Sequence, residues 1–335
     1  MRFLPAALAA CLLLACANDN GVPGPGEAVG IENRGSAAAA DSAKWWSKLP
    51  RPAWSEFEQV PTSDTWFEVF RIFDGVYAIY EPGQFEEVIS WLITGEQGAL
   101  LFDTGLGIGD IRGLTAELTR LPVTVLNSHT HYDHVGGNFQ FDTLLSREHA
   151  YAMARSAGLG NDKVGEYALG DWIWKPVPPG FDAATFSTQA WQVSRRVDEG
   201  EFIDLGGVSL EIIDSPGHSP DGVVLVDYQR RLMFTGDTFY KAPLYAHIPG
   251  ADVSAYASSA AKLAALADSV DYLLMGHNTP RADASYLTQL HAAFQAILDG
   301  SAEYTVGADG REYDFGDFGL LTPDPPVPGK RAATQ

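Results

Sequence analysis

Apolar and polar residues alternate in short runs through the first half of the chain, from residue 66 onward. Runs of this kind, several of them separated by Asp-Gly, Pro-Gly and Glu-Gln-Gly turns, predict strands at 66–72, 75–81, 88–94, 99–103, 123–127 and 142–146. Helices are predicted at 110–120, where Ile111, Leu114 and Leu118 fall on one side, and at 147–156. This half of the chain therefore predicts a sheet faced by helices.

Residues 157–190 break this rhythm. They contain aromatic residues, glycines and the run Pro176-Val177-Pro178-Pro179-Gly180, so we interpret them as an irregular excursion, either a lid over a site or a packed insertion. Regular patterns then resume, with predicted strands at 201–204, 208–214, 222–227, 231–235 and 271–275 and predicted helices at 252–268 and 284–298. This order of elements predicts an α/β fold with two mixed β-sheets faced by helices.

The start of the chain has the pattern of a targeting segment. An apolar run from Phe3 to Ala15 follows Arg2, and it is too short for a comfortable transmembrane helix. The sequence Leu13-Leu14-Ala15-Cys16 resembles a bacterial lipobox, in which cleavage leaves a lipid on Cys16, and an ordinary signal peptide is the alternative. Residue 17 is Ala rather than Asp, so we expect a protein exported to the periplasm and anchored to the outer membrane.

These patterns divide the chain into four parts. A signal peptide at 1–16 precedes a flexible tether and aromatic arm at 17–65, a main domain at 66–300 and a polar, Pro-rich tail at 301–335 with a short hairpin near 303–314. The arm holds Trp45, Trp46, Trp54 and Phe57 among prolines. We expect it to pack on the domain rather than to line a pocket, because buried aromatic residues usually support structure.

Composition narrows the chemistry. The hydrophobic fraction of 46% suffices for a substantial core, and the formal net charge is −21. An acidic surface repels nucleic-acid phosphates, so no nucleic-acid partner is expected, although bound metals would change the local field. Cys11 and Cys16 are the two cysteines, so the main domain has neither a disulfide nor a thiolate ligand.

A cluster of metal-binding side chains follows the predicted strand at 123–127. It reads His129-Thr130-His131-Tyr132-Asp133-His134. Residues i and i+2 of an extended chain point the same way, so His129 and His131 can bind one metal, and a turn can direct Asp133 and His134 at a second. The glycines of Val135-Gly136-Gly137-Asn138 let the backbone turn close to the site. Imidazole and carboxylate together suit zinc and similar ions.

Three further polar residues follow predicted strands, each next to a glycine. His218 follows the strand at 208–214, Asp237 the strand at 231–235 and His277 the strand at 271–275. Any one of them alone is typical of an ordinary loop residue. Their shared position at the carboxyl ends of strands, where α/β folds gather their sites, indicates that they join the histidine cluster.

With these residues in place, the sequence resembles the metallo-β-lactamase superfamily, whose signature is His-x-His-x-Asp-His followed by a spaced His, Asp and His. The likeness runs from about residue 66 to 298, and Asp103 matches the supporting acid found before the histidine motif. The resemblance implies a four-layer αββα sandwich of two mixed β-sheets flanked by helices. It is specific for fold and metal binding but weakly specific for substrate.

The resemblance also implies a site with two metal ions, zinc by preference and iron or manganese as alternatives. The implied ligands are His129, His131 and His218 for the first ion, Asp133, His134 and His277 for the second, and Asp237 as the bridge. A bridging hydroxide of lowered pKa would be the nucleophile. Asp133 would orient it and pass on its proton.

Several members of the superfamily fit the sequence poorly. True β-lactamases usually carry Cys or Ser in place of the bridging Asp237. Glyoxalase II has the same ligands but an additional helical domain, for which 299–335 is too short and too rich in proline. RNA-processing members carry basic surfaces and extra domains, and oxygen-reducing di-iron members carry a Glu within the histidine motif.

Tyr240, three residues after Asp237, is similar to a tyrosine of acyl-homoserine lactonases whose hydroxyl reaches the substrate. Residues 236–249, which include Lys241, Tyr245 and His247, also resemble thioesterases acting on acyl-CoA, although a packed Tyr240 and a structural His247 are the plain alternatives. We therefore expect a hydrolase of a small acyl substrate, a carboxylic ester, lactone or thioester. A β-lactamase, a phosphodiesterase and a non-catalytic metal-binding lipoprotein are the alternatives, disfavoured by Asp237, by the acidic charge and by the intact ligand set.

Overall fold

The computed structural model describes residues 44–326. The predicted signal peptide, the lipid attachment at Cys16 and the tether up to residue 43 lie outside the described residues, as does the end of the chain from residue 327. Within residues 44–326, no helix is both long and apolar enough to cross a membrane.

The first sheet has eight strands that lie side by side in chain order. They are β1 (Glu58–Val60), β2 (Glu68–Phe73), β3 (Val76–Tyr80), β4 (Ile89–Thr94), β5 (Ala99–Phe102), β6 (Val123–Leu126), β7 (Leu144–Arg147) and β8 (Arg195–Val197). The strands β1 to β5 pair antiparallel through short turns. From β5 to β8 the pairing is parallel, which requires crossover connections such as helix α1 (Ile111–Leu118) between β5 and β6.

The second sheet has six strands and carries two long helices on one face. The strands are β9 (Phe202–Asp204), β10 (Ser209–Asp214), β11 (Val223–Asp227), β12 (Leu232–Gly236), β14 (Tyr272–Met275) and β15 (Arg281–Asp283). Helix α5 (Val253–Ala264) is the crossover between the parallel strands β12 and β14, and helix α6 (Tyr286–Asp299) follows β15. The side chain of Asp252 caps α5 by accepting from the backbone N–H of Ala255 at 2.8 Å.

Successive residues of the buried strands face different layers, because side chains alternate across a sheet. Leu225 of β11 packs between the two sheets with Phe102 and Phe234. Val224 and Val226, its neighbours in the chain, pack instead against the face that α5 and α6 cover. On the outer side of the first sheet, helix α1 covers a third cluster. The predicted α/β architecture, two mixed sheets flanked by helices in four layers, is confirmed.

A third sheet differs from the two-sheet prediction. It joins β13 (Pro243–Tyr245) to β18 (Gly319–Thr322), β17 (Gly310–Asp314) and β16 (Thr305–Gly307). The segment predicted as a tail from 301 thus adds three strands, including the expected hairpin, and buries Phe318 and Leu320 against the α5–α6 core. These strands are short, and β13 pairs in parallel with a strand distant in the chain, so local patterning does not reveal them.

The aromatic arm and the excursion both pack on the first sheet. Trp54 is buried and stacks on Tyr80 with ring centroids 4.3 Å apart. Helix α3 (Ala150–Arg155) corresponds to the helix predicted at 147–156 and precedes the excursion. In the excursion, helix α4 (Asn161–Val164) leads into 3₁₀ turns, and Tyr167 stacks on Tyr132 at 4.3 Å. The excursion therefore touches the histidine motif directly, and its action as a lid stays a prediction.

Candidate metal centre

The predicted metal ligands converge at one edge between the two main sheets. β10 and β12 both pair antiparallel with β11, and β12 pairs parallel with β14, so these three strands run in one direction and end at the same edge. His218, Asp237 and His277 follow those ends. From the facing sheet, β6 leads to His129 and His131, and the short helix α2 (Tyr132–Val135) then carries the remaining two ligands of the motif.

The first group of ligand atoms comes from His129, His131 and His218. Nδ1 of His131 lies 2.9 Å from Nε2 of His129 and 2.9 Å from Nε2 of His218. Three imidazole nitrogens thus meet at one point. His131 contributes Nδ1, whereas His129 and His218 contribute Nε2. This is the ligand set that the family resemblance implies for the first metal.

The second group comes from Asp133, His134 and His277. Nε2 of His134 lies 3.2 Å from Nε2 of His277 and 3.4 Å from Oδ2 of Asp133. Asp237 lies between the groups, because its Oδ1 is 2.9 Å from His277 Nε2 while its Oδ2 is 3.4 Å from His218 Nε2. The potential ligand atoms form three overlapping clusters, one of which joins His129, His134 and Asp237 across the two groups.

The second ring nitrogen of four of the histidines has a hydrogen-bond partner. Those partners are Oγ of Ser128 for His129 (3.0 Å), Oδ2 of Asp103 for His134 (3.0 Å), the carbonyl of Tyr245 for His218 (2.9 Å) and the carbonyl of Glu86 for His277 (2.7 Å). In a neutral imidazole, a carbonyl or carboxylate acceptor fixes the tautomer and leaves the opposite nitrogen without a proton, as a metal ligand requires. Asp103, predicted as the supporting acid, also accepts from the backbone N–H of Ser128 at 2.6 Å.

Burial and mutual charge set the protonation of these groups. Burial first, and then neighbouring imidazoles, hold the pKa values of His129 and His131 well below their ordinary value. Burial acts on His277 in the same direction, but Asp237 outweighs it and raises that pKa to about 9. Burial acts to raise the pKa of Asp133, yet His134 and His277 lower it, so this carboxylate is ionised at neutral pH.

These residues fit metal ions. Five imidazoles and two carboxylates bring their ligand atoms together in a buried space, and this donor set suits zinc and related divalent ions. Oδ1 of Asp237 is buried and has no hydrogen-bond partner of acceptable geometry among the described residues. Its near neighbours are the imidazole nitrogens of the predicted ligands, His277 Nε2 at 2.9 Å and His134 Nε2 at 3.2 Å, so carboxylate and imidazoles face one another as the ligands of a shared cation would.

The sequence prediction missed a set of residues around His277. Glu86 presents its carbonyl to that imidazole, and its carboxylate accepts from the hydroxyl of Tyr132 at 2.8 Å. Burial, and then the charge of Asp133, raise the pKa of Glu86 to about 7. The pair Glu86-Glu87 in the loop before β4 was the available signal, because adjacent acids within an apolar stretch are costly to bury unless they have partners.

The aromatic arm also reaches this loop. Arg51 donates from Nε to Oε2 of the buried Glu87 at 2.6 Å and from Nη2 to Oδ1 of Asn278 at 2.5 Å. The indole of Trp54 donates to the carbonyl of Asn278 at 3.0 Å. Since Asn278 directly follows His277, these contacts tie the arm to a predicted metal ligand.

Backbone conformations at this edge are unusual. The φ angles are positive at Glu87 (49°), Asp103 (70°) and Asn278 (65°). Residues other than glycine rarely adopt this backbone region. Gly217, before His218, has φ of 151°, and a Cβ there would lie 2.3 Å from Cα of Tyr256. Strained backbone of this kind clusters at functional sites.

Tyr240 and His247 lie near the centre in different ways. The ring of Tyr240 is 4.9 Å from that of His277, but its hydroxyl donates to the carbonyl of Pro243 at 3.1 Å. A contact from this hydroxyl to substrate stays a prediction. His247 packs edge-on against Tyr245, the residue whose carbonyl holds His218, so its position is one of support.

Comparison with known proteins shows which family the sequence matches. The sequence profile described as the metallo-beta-lactamase superfamily matches residues 85–277, more than half of the chain. The acyl-coenzyme A thioesterase MBLAC2 of Homo sapiens is 30% identical over 230 residues, which cover 63% of this chain and 81% of the relative. The hydroxyacylglutathione hydrolase GloC of Haemophilus influenzae is 26% identical over 200 residues, 58% of this chain and 87% of the relative.

Two solved structures share the fold. The sec-alkylsulfatase Pisa1 from Pseudomonas sp. aligns with a TM-score of 0.54 at 20% identity, and the match covers 70% of this chain but only 42% of the sulfatase. A metallo-beta-lactamase family protein from Thermus thermophilus aligns with a TM-score of 0.50 at 20% identity over 69% of this chain and 82% of that chain. The chain therefore belongs to the metallo-β-lactamase superfamily and is a metal-binding hydrolase.

Proposed function

We propose that the protein hydrolyses an acyl thioester, with carboxylic esters and lactones as related substrates, at a centre that holds two zinc ions. The observation that carries the proposal is the division of Asp237, whose two oxygens face different ligand groups. One carboxylate in this position can serve both groups at once. The roles of His129, His131, His218, Asp133, His134 and His277 follow from those two groups.

Zinc ions bound there would supply a water of lowered pKa as the nucleophile and a Lewis acid for the scissile carbonyl. The chain contributes the orientation of the imidazoles and a low-dielectric surrounding, since His134 and His277 are 0% and 3% exposed. Asp133 is ionised, is 5% exposed and lies within the second group, so it can accept a proton from the reacting water.

The choice of a thioester rests on the relatives. MBLAC2 is named as an acyl-coenzyme A thioesterase and GloC as a hydroxyacylglutathione hydrolase, so both act on acyl conjugates of thiols. The similarity to MBLAC2 extends over 81% of that protein. Tyr240 beside His277 is a candidate for contact with the leaving group, if its hydroxyl exchanges the carbonyl of Pro243 for substrate.

The test combines metal analysis with a substrate panel. Purified protein should contain close to two zinc ions per chain and should prefer an acyl thioester over a p-nitrophenyl ester, an acyl-homoserine lactone, nitrocefin and bis-p-nitrophenyl phosphate. Asp237→Ala should lose metal and at least about 100-fold in kcat/KM, because the shared ligand is gone. His291→Gln, on helix α6, is the matched control and should retain both metals. Unchanged hydrolysis by Asp237→Ala would refute the mechanism.

We also propose that the chain is exported and anchored to the outer membrane by a lipid on Cys16. The support is the sequence of residues 2–16 alone. In a bacterial host grown with labelled palmitate, the protein should carry label in the outer-membrane fraction. Cys16→Ser should abolish labelling and Cys11→Ser should not, and label retained by Cys16→Ser would contradict the anchor.

A further inference from the structure

One cation beside the metal centre lacks an acidic partner. Among residues 44–326, Arg120 and Arg155 are the two basic side chains with no carboxylate oxygen within 4.0 Å, although acids outnumber bases by 43 to 22 in the whole sequence. Arg120 is fully exposed after helix α1. Arg155 is half-buried, so its lack of a partner is the one that needs an explanation.

Arg155 is the last residue of α3 and is held against Tyr151, one turn earlier in the same helix. Its Nη2 donates to the hydroxyl of Tyr151 at 2.7 Å, and its guanidinium carbon lies 4.8 Å from the centre of that ring. The ring of Tyr151 in turn packs edge-on against His131, with ring centroids 6.2 Å apart. The guanidinium and a predicted metal ligand therefore contact the same tyrosine ring.

The helix dipole favours a cation at the end of a helix, but it does not fix the direction of the side chain. For Arg155, the stacking on Tyr151 fixes that direction.

A guanidinium has five N–H donors, and the hydroxyl of Tyr151 takes one of those of Arg155. The remaining fork matches an oxyanion in bidentate geometry, which is stronger than a hydrogen bond between neutral groups. The net charge of −21 repels an anionic substrate at long range, so such a substrate needs a local cation at the site.

We propose that Arg155 binds an oxyanion of the substrate beside His131, either a carboxylate on the acyl chain or a phosphate on the leaving thiol. The proposal rests on the proposed function, since it names a class of acyl substrate for the same centre. The substrate would be an anionic thioester, with Arg155 holding the charged end while the scissile carbonyl lies at the ligand groups.

Three thioesters of equal acyl length separate the two sources of charge. Hexanoyl-N-acetylcysteamine is uncharged, hexanoyl-coenzyme A carries phosphates on the leaving thiol, and adipoyl-N-acetylcysteamine carries a carboxylate on the acyl chain. Steady-state kinetics of the full chain would compare the natural protein with Arg155→Ala, Arg155→Lys and the matched control Arg120→Ala, which removes the same charge from an exposed position.

Arg155→Ala should raise the KM of one charged thioester relative to the uncharged one by about 10- to 100-fold, as expected for a charge-assisted contact made equally in the ground and transition states. Arg155→Lys should recover part of this loss, and Arg120→Ala should change the ratio less than about twofold. The thioester affected identifies the anion as phosphate or carboxylate. An unchanged ratio, or the same change in Arg120→Ala, overturns the proposal.

Binding separates this proposal from the proposed function. If the natural protein hydrolyses none of the three thioesters, the proposed function fails. Calorimetric titration of the metal-loaded proteins with coenzyme A and with adipate then decides the anion site. Weaker binding of either anion to Arg155→Ala than to Arg120→Ala sustains the site, and equal binding to both variants refutes it.

Discussion

Asp103 joins the two halves of the histidine motif. Its Oδ1 accepts from the backbone N–H of Ser128 at 2.6 Å, and its Oδ2 lies 3.0 Å from Nδ1 of His134. The backbone of Asp103 has a φ of 70°. A residue other than glycine keeps this conformation when the surrounding contacts hold it there. The carboxylate thus sets both the position of the backbone before His129 and the tautomer of His134.

Asp103→Asn should therefore weaken metal binding without unfolding the protein. The amide of Asn can donate to Nδ1 of His134, which favours the tautomer with its proton on Nε2, the nitrogen that faces the second ligand group. Loss of such supporting acceptors typically lowers metal affinity by about 10- to 100-fold. Competition titration with a chromophoric chelator would measure the effect. Asp142→Asn, at an exposed site paired with Arg112, is the control and should leave affinity unchanged. Equal affinities in the two variants would show that Asp103 does not support the site.

Glu81 provides a test of pH dependence at a single residue. It is 1% exposed, and burial raises its pKa from 4.5 to about 7. The folded protein therefore holds this proton more tightly than the unfolded chain does. The stability that Glu81 contributes is present below pH 4.5 and is lost as the pH rises through 7.

Glu81→Gln removes this titration, so the variant should gain on the natural protein as the pH rises. Between pH 5 and pH 8 the difference in the free energy of unfolding should shift by about 2–3 kcal/mol in favour of Gln. Urea unfolding at both pH values would measure it. The Gln side chain accepts less well from Trp66 or Leu106, and this lowers the stability of the variant by the same amount at both pH values. A difference in stability that does not change with pH would therefore contradict the prediction.

At the scale of elements, the aromatic arm does more than pack. The sequence predicts only that its tryptophans cover the domain, yet Arg51 carries the arm's contact to Glu87 and to Asn278 beside His277. No pattern within the arm reveals this, because the partners lie on loops before β4 and after β14. Contacts between segments so far apart are decided by packing alone.

Arg51→Ala should leave Glu87, which is 1% exposed, with Lys48 at 3.9 Å as its remaining basic neighbour. Breaking a buried pair from one side typically costs about 3–5 kcal/mol, and Tyr80, which also donates to Glu87, reduces the cost to about 2–3 kcal/mol. Urea unfolding would measure the loss, and metal titration should show weaker binding. Arg71→Ala, which removes an exposed pair with Glu58, should cost much less, because exposed ion pairs contribute little to stability. Similar losses of stability in both variants would argue against a structural role for the contacts of Arg51 with Glu87 and Asn278.

The longer strands and helices were predictable because their periodicity is a local property of the sequence. The strands missed, such as β1, β8, β13 and β15, have three residues each and pair at edges or across long connections. Three residues are too few to display alternation. Apart from its predicted hairpin, the third sheet was missed because β13 pairs with β18, a strand distant in the chain. Through Tyr245 of β13, this sheet holds the imidazole of His218.

At the scale of the whole molecule, metal binding and folding are coupled. The ligand groups come from both main sheets, so ions bound there join the two sheets and are lost when they separate. An ion that binds only the folded state stabilises it by an amount that grows with the logarithm of the ion concentration divided by Kd. At 100 times Kd this amounts to about 2.7 kcal/mol for one ion.

Chelation should therefore lower the Tm of the full chain by about 5–10 °C, and added zinc should restore it. Differential scanning calorimetry with and without EDTA would show this. Asp237→Ala, with its shared ligand removed, should respond less. A Tm that EDTA leaves unchanged in the natural protein would exclude a link between metal binding and stability.

The sequence by itself predicted the metal-binding chemistry, the longer strands and helices and the placement of the seven proposed ligands near strand ends, because residue type and periodicity are properties of neighbouring residues. Only the tertiary structure decided which carbonyls orient His218 and His277, how the oxygens of Asp237 divide between two groups and which half-buried arginine, among residues 44–326, has no carboxylate beside it. Each of these depends on distances between segments far apart in the chain. Such distances are fixed when the sheets pack, and local patterning carries no record of them.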